Sequence, residues 1–490
     1  MSKILDKIKK IPVGFKAAGV YTVATVFSKG LSVITVPIFT RLMSTSEIGV
    51  VNIYNSMYSM LSVVVTLSLT SGGYTAALKH FNGERDQYQS SVLSLTSLMA
   101  LLTAAIYMIR PAMWDELMGL PRPLSILLLV GFFFMPAFDF WLARQRFEYK
   151  YKMAAGLTTI NTILASGAAV IAVLYMDAHG LENVAVGRLY ASKTISFTLA
   201  GILWVSLILR GKTFYNKEYW KYSLQLSIPL IGYALANQVL SVSDRRMIQY
   251  MVDNSAVGIY STLYTVSSIS LMVWGAINAS FIPYLYENIE SKNSGVKKYS
   301  LMLMGTYAIV AVMLTFVAPE IVRVLATEEY YEAIYIMPPI AGGVFLTCVS
   351  NMYSNVLIYY KKTPYIMYSA ITGAVVNVVL NFIFISRYGY MAAAYTTLVA
   401  YIVLALMQGW GARKVCRQKR GEDYEVYNDK AVFAMAGLTI GLCLCGLLLY
   451  QHTVLRYSVI AVGCVLGAAF GYKTWKMKKA TKREKEQPKE

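Results

Sequence analysis

Five charged side chains fall within or at the edge of apolar runs that offer little to solvate a charge: Lys29, Asp139, Lys193, Asp244 and Arg245. Lys29 says the most. In the run that begins at Ala17, residues Tyr21, Thr25, Ser28, Ser32 and Thr35 recur at spacings of four and three, so one helical face carries a stripe of hydroxyls with an ammonium beside it. A helix rises about 1.5 Å per residue, which puts Lys29 about 18 Å along from Ala17 and near mid-membrane if the run spans a bilayer. A lysine facing lipid there costs roughly 3 kcal/mol or more, so it should face a partner or a water-filled cavity. Snorkelling is the competing explanation and is poor at such depth. The chemistry offered is anion binding.

The other four charges each carry a plainer alternative. Lys193 is a few residues into its run and can snorkel outward. Asp139 lies near the cytoplasmic end of its run, so pairing with Arg144 or Arg146 is the plainer account; as the one carboxylate inside a run it is also the first candidate to carry a coupling proton. Asp244 and Arg245 follow Asn237, Gln238 and Ser241. They either line a cavity, with Arg245 as an anion ligand and Asp244 as a second coupling group, or pair with each other. Further polar stripes are Asn52, Asn55, Ser59 and Ser62; Ser261, Thr265 and Ser268; and Ser369, Gly373, Asn377 and Asn381. Any single Ser or Asn is explained by helix–helix hydrogen bonding. Taken together the stripes favour a wet central cavity, with Asn52, Asn237 and Ser241 in its lining.

Composition supplies the solvent. The chain is 490 residues, 57% hydrophobic and 14% charged, with a mean hydropathy of +0.50, more apolar surface than a water-soluble protein could bury. A bilayer core takes roughly 20 helical residues to cross, and fourteen such spans can be drawn, at 17–40, 48–70, 90–109, 124–142, 154–176, 189–209, 222–243, 256–282, 299–318, 333–360, 365–386, 391–412, 431–450 and 455–472. With the N-terminus placed in the cytoplasm, most of the 45 Lys and Arg fall on the cytoplasmic side, as the positive-inside rule requires, and both termini are cytoplasmic. The formal charge of +19 is therefore spread over short loops, which argues against a nucleic-acid partner. The basic start MSKILDKIKKIPVGFK leads into a run too long and too polar for a signal-peptide core, so it reads as a retained first helix. The five cysteines form neither a disulfide framework nor a CxxC site, the three histidines are scattered, and no GxxxxGK[ST] or Ser/His/Asp set appears. No cofactor, metal site or enzyme activity is expected.

The chain also restarts. Shifted by 209 positions, Leu240-Ser241-Val242 falls on Leu31-Ser32-Val33, Ser255 on Ser46 and Gly258 on Gly49. An even number of spans returns the chain to one side, so the repeat predicts two parallel six-helix lobes. The expected division is a cytoplasmic N-terminus (1–16), an N-lobe (17–209), a loop (210–221), a C-lobe (222–412), a basic loop (413–430), two extra spans (431–472) and a basic tail (473–490). Gly437 and Gly441, then Gly463, Gly467 and Gly471, mark the extra pair as a packing element.

Three segments carry a resemblance: FSKGLSVITVPIFTRLMSTSEIGVVNIYNS, SDRRMIQYMVDNSAVGIYS and NVVLNFIFISRYGYMAAAYTTLVAY. They resemble the oligosaccharide flippases of the polysaccharide transporter family, in the superfamily that also holds multidrug exporters and peptidoglycan-precursor flippases, over roughly residues 10 to 410. The resemblance implies two V-shaped lobes that alternate access across a central cavity. It implies a cargo of oligosaccharide repeat units (of the O-antigen or capsule type) on polyprenyl diphosphate, an H⁺ or Na⁺ gradient as driver, and polysaccharide polymerase and export machinery as neighbours in a bacterial cytoplasmic membrane. Relatives carry a basic residue after Ser on the first helix, where Lys29 follows Ser28. A second arginine that some relatives place further along is here replaced by Thr35 and Pro37, which would throw anion binding onto Lys29 and Arg245. A peptidoglycan-precursor flippase and a cation-coupled multidrug exporter of the same fold are the alternatives. A membrane polymerase or glycosyltransferase would be expected to show a sizeable outside loop or an acidic catalytic motif.

Overall fold

The structure is a computed structural model that describes residues 13–70, 73–291, 295–465 and 467. Among these residues it is all helix, without strands. Thirteen helices are long and apolar enough to cross a membrane, and a shorter apolar helix, Thr453–Val465, follows them. The all-α polytopic reading therefore holds. The end of the fourteenth expected span, Gly471 and the basic tail lie outside the described residues.

The chain forms two compact units, residues 1–259 and 260–490. The first contains α1 (Val13–Leu42), α2 (Thr45–Val65), α3 (Gly73–His80), α4 (Arg85–Ile109), α5 (Pro111–Met118), α6 (Arg122–Phe147), α7 (Tyr151–Ala178), α8 (Val184–Gly211), α9 (Lys217–Met251) and the first turn of α10 (Asn254–Ser267). The second contains the rest of α10, α11 (Ser270–Asn288), α12 (Val296–Phe316), α13 (Ala318–Leu325), α14 (Met337–Tyr359), α15 (Pro364–Tyr388), α16 (Ala392–Arg420), α17 (Asp429–Leu449) and α18 (Thr453–Val465). The expected single span at 256–282 is thus two helices, broken at 268–269. α9 packs on α2, α3 and α4, so the compact unit runs later along the chain than the repeat boundary at 209–222.

The duplication is visible in helix register. α1 ends at Leu42 and α9 at Met251; α8 ends at Gly211 and α16 at Arg420, each pair 209 residues apart. α2 and α10 start at equivalent positions and are capped alike. Ser44 Oγ accepts the Glu47 amide at 3.3 Å, and Asp253 Oδ1 accepts the Ala256 amide at 2.7 Å. Both units reuse the same pairings: α7 on α8, α6 on α8 and α4 on α6 in the first; α15 on α16, α14 on α16 and α12 on α14 in the second.

One close crossing in the first unit is reciprocal. A Cβ on Gly49 would strike the Asn254 carbonyl, and one on Gly258 would strike the Thr45 carbonyl. Asn254 follows Thr45, and Gly258 follows Gly49, by the same 209 residues, so the two repeats meet through equivalent atoms where only glycine lets the backbones approach. The C-terminal glycines behave unequally. Among the described residues Gly437 and Gly441 meet nothing across their open faces, whereas Gly463 lies against Met313 and Gly467 near Ile309.

Away from that crossing, an aromatic core of Tyr74, Phe81, Tyr88, Phe140 and Tyr219 fills the first unit beside the 147–151 turn. Glu148 ties that turn: Arg144 Nε reaches it at 2.9 Å, Lys150 at 2.6 Å and Arg85 at 3.7 Å. Partial burial pushes the Glu148 carboxyl up, but Lys150 and Arg144 outweigh it and hold the group below the ordinary glutamate range.

Two outcomes are expected. Gly258→Val should cost about 1–3 kcal/mol or more, because backbone oxygen cannot move aside; a melting temperature equal to the parent's in detergent would remove the crossing from the stability account. Because the folded Glu148 pKa is depressed, its contribution is present above the ordinary glutamate value of 4.5 and fades as pH falls through the lower folded value. Glu148→Gln should therefore flatten the acid side of a melting-temperature profile, and an unchanged acid slope would contradict the assignment.

Candidate functional site

α1 holds Lys29 near its middle, exposed on the helix surface and without a hydrogen bond or ion pair among the described residues. The hydroxyl stripe beside it is largely local. Ser28 Oγ meets Thr162 Oγ1 of α7 at 3.3 Å, Ser32 bonds the Ser28 carbonyl and Thr35 the Ser32 carbonyl. α1 therefore docks on α7 through Ser28, leaving the adjacent Lys29 outward from that contact.

Lys193 does not snorkel outward. Its ammonium lies 5.4 Å from the Tyr54 ring centroid and 5.9 Å from that of Tyr58, both on α2. Tyr58 is in turn stacked on Phe132 of α6 at 5.4 Å. Five residues before it on α8 stands Arg188, whose guanidinium carbon sits 3.5 Å above the Phe39 ring and whose Nη1 donates to Met43 Sδ at 3.6 Å. Drawing the sixth span at 189–209 excludes Arg188. The helix begins at Val184, and an arginine five residues before an in-span lysine is the signal that could have found it.

Asp139 is exposed on the surface of α6. Arg144 is engaged by Asp86 and Glu148, so that pairing is ruled out, while Arg146 and Tyr58 lie within electrostatic reach of Asp139. Asn52 donates to the Ile48 carbonyl of its own helix at 2.9 Å, and Ser241 to the Asn237 carbonyl at 2.8 Å.

Asp244 and Arg245 pair with each other. They are 1% and 8% exposed, and Arg245 Nη1 donates to Asp244 Oδ1 at 2.7 Å and to the Ser241 carbonyl. A cation so placed is neutralised within its own helix, because burying it unpaired would cost far more. The neighbouring Arg246 reaches the Glu116 and Leu117 carbonyls, closing the C-terminal end of α5. The stripe at Ser369, Asn377 and Asn381 is likewise dry: all three are fully buried, Asn377 donates to Thr397 at 3.2 Å, and Thr396 donates to Asn381. Asn377 and Asn381 join α15 to α16, while Ser369 bonds the Ile366 carbonyl of its own helix at 2.9 Å.

The structure thus brings Lys193, Tyr54, Tyr58 and Arg188 together in the first unit, sets Lys29 and Asp139 on exposed helix surfaces there, and seals Asp244 with Arg245. Among the described residues no group of three or more His, Cys, Asp and Glu could hold a metal ion.

Known proteins share both sequence and fold. The probable low-salt glycan biosynthesis flippase Agl15 of Haloferax volcanii is 22% identical over 399 residues, 78% of this chain and 79% of that protein. The lipid II flippase MurJ, in an inward closed conformation, matches with a TM-score of 0.68 at 15% identity, over 93% of this chain and 99% of MurJ. An inward-facing multidrug resistance transporter of the MATE family, MOP superfamily, matches at 0.55 and 13% identity, over 80% and 94%. Residues 15–289 match the model of the family described as polysaccharide biosynthesis protein, more than half of the chain, and the protein belongs to that family.

Proposed function

We propose that the protein is a flippase that moves oligosaccharide repeat units, carried on polyprenyl diphosphate, from the cytoplasmic to the outer leaflet of the cytoplasmic membrane. The observation that carries this reading is Lys29: an ammonium at mid-helix, outward of the α1–α7 contact, with no carboxylate paired to it among the described residues. Hydrocarbon does not tolerate that arrangement, so an aqueous path or an anion must meet it. Membership in a polysaccharide biosynthesis family and similarity to a glycan biosynthesis flippase point to the diphosphate of a lipid-linked glycan as that anion.

The physical task is to carry a charged headgroup and its sugars across an apolar core while the prenyl chain stays in lipid. Cations on the wall replace water around the diphosphate, and alternating access keeps the path from opening on both sides at once. Both termini lie in the cytoplasm in this scheme. The sealed Asp244–Arg245 pair leaves Lys29, with Lys193, as the cation available on these helices, and Asp139 as the acid available for coupling to an H⁺ gradient. Peptidoglycan-precursor flipping is the second reading, favoured by the 0.68 similarity to the lipid II flippase. The identity of the lipid-linked glycan that accumulates on the cytoplasmic side of a deletion strain separates the two.

Lys29→Ala should abolish export of the surface glycan, with protein still in the membrane and precursor accumulating inside. Normal export from that variant would take Lys29 out of the mechanism. Asp139→Asn should make transport in proteoliposomes indifferent to an imposed pH gradient; retention of the parent's gradient dependence would exclude Asp139 as the coupling group.

A further inference from the structure

Arg188 and Lys193 are two cations on one apolar helix with no anion to meet them. Neither has a carboxylate within ion-pairing distance among the described residues, and they are near enough for Arg188 to act electrostatically on Lys193. Glu47 of α2, beside the start of α8, is already committed: Oε1 accepts the Val184 amide at 2.8 Å and Oε2 the Ser44 amide at 3.2 Å. Asp139 of α6 lies within electrostatic reach of Tyr58 but ion-pairs with neither cation among the described residues. What the two cations touch instead is soft. Arg188 lies on the face of buried Phe39 and against the sulfur of buried Met43, and Lys193 lies over two tyrosine rings. An aromatic face attracts a cation far more weakly than an anion does once water is excluded.

Two further observations point to a ligand. The Tyr54 side chain beneath Lys193 is 0% exposed, and its hydroxyl has no hydrogen-bond partner, leaving a donor idle on a ring that the ammonium overlies. The second concerns the repeat. At the positions 209 residues on, Arg188, Lys193, Tyr54, Tyr58 and Phe39 become Thr397, Ile402, Leu263, Ser267 and Ile248. The second copy keeps the α14–α16 and α15–α16 packing with no cation at these two positions. Packing of α8 on α6 and α7 therefore does not need the charges, which face α1 and α2 instead.

We infer that Arg188, Lys193 and the Tyr54 hydroxyl form a diphosphate-binding subsite in the first unit, with the rings of Phe39, Tyr54 and Tyr58 holding the cations when no anion is bound. Arg188 supplies a planar fork for one phosphoryl group and Lys193 a point charge for the other. The cations half-buried on α8 exchange a ring face for phosphate oxygens, so they stay desolvated but never uncompensated. This deepens the flippase reading and rests on it only for what is attached to the diphosphate.

Purified protein in neutral detergent is titrated with inorganic pyrophosphate and, separately, with geranylgeranyl diphosphate and phosphatidylglycerol, following the melting temperature. Both diphosphates should raise it, and phosphatidylglycerol should not. Arg188→Gln and Lys193→Gln should each weaken the diphosphate response by roughly tenfold or more, as expected when one charge-assisted contact is lost. Arg188→Lys should recover part of it, which a merely structural role would not produce. A response to phosphatidylglycerol alone, or Gln variants that melt and bind pyrophosphate like the parent, would overturn the subsite. Intact diphosphate binding in a protein whose deletion leaves every lipid-linked glycan undisturbed would instead sink the flippase reading and spare the subsite. If the Gln variants do not fold, Tyr54→Phe tests the same site, and an unaltered pyrophosphate affinity in it would count against the idle hydroxyl.

Discussion

Hydrocarbon cannot hydrogen-bond, and that single deficiency shapes this molecule at every level. Backbone amides and carbonyls must find partners within their own segment, so the described chain is built of helices joined by short turns. Hydroxyls of Ser and Thr bend back onto carbonyls three or four residues earlier, as Ser32, Thr35 and Ser241 do. Charged groups have fewer ways out. Asp244 and Arg245 cancel each other inside one helix, Arg188 and Lys193 shelter on aromatic rings, and Lys29 stands exposed. These three solutions differ in how easily an incoming anion could compete. A carboxylate already bound at 2.7 Å is a strong competitor, a ring face is a weak one, and an exposed ammonium has none.

The duplicated architecture makes the charges more informative. Two copies of one helical plan share their caps, their helix ends and three of their packing pairs. What both copies hold belongs to the shared plan, and what one copy holds alone either packs that copy, as Asn377 and Asn381 do, or is free to serve function. The reciprocal glycines at 49 and 258 belong to the first class, since both are demanded by the same backbone approach. Arg188 and Lys193 belong to the second.

Packing also distinguishes polar stripes that look alike in the chain. Asn377 and Asn381 recur at helical spacing just as the α1 hydroxyls do, yet they are sealed against Thr396 and Thr397 and specify how α15 and α16 fit. A buried network of that kind fixes register and is costly to leave half-made. The salt-linked turn around Glu148 does comparable work outside the spans, where water lowers the cost of charge and several partners can share one carboxylate.

Much was decided by the one-dimensional pattern. Apolar run length set the membrane helices, because about 20 residues are needed to cross hydrocarbon whatever their order, and the 209-residue repeat announced the doubled plan that the helix ends then matched to the residue. Lys29 was conspicuous because an ammonium in an apolar run is an exception visible without coordinates. Only the tertiary structure decided which polar groups were already satisfied. Sequence spacing places Arg245 on a helix but is blind to rotamers, so the chain left its pairing with Asp244 and a place on a cavity wall as equal alternatives, and packing chose the buried pair. The same holds for Arg188: hydropathy draws a span edge at Leu189, whereas the helix starts at Val184 and the arginine folds back onto Phe39, a residue some 150 positions away. Composition tells how much charge a membrane protein carries, and packing alone tells which of that charge has been left without a counter-ion.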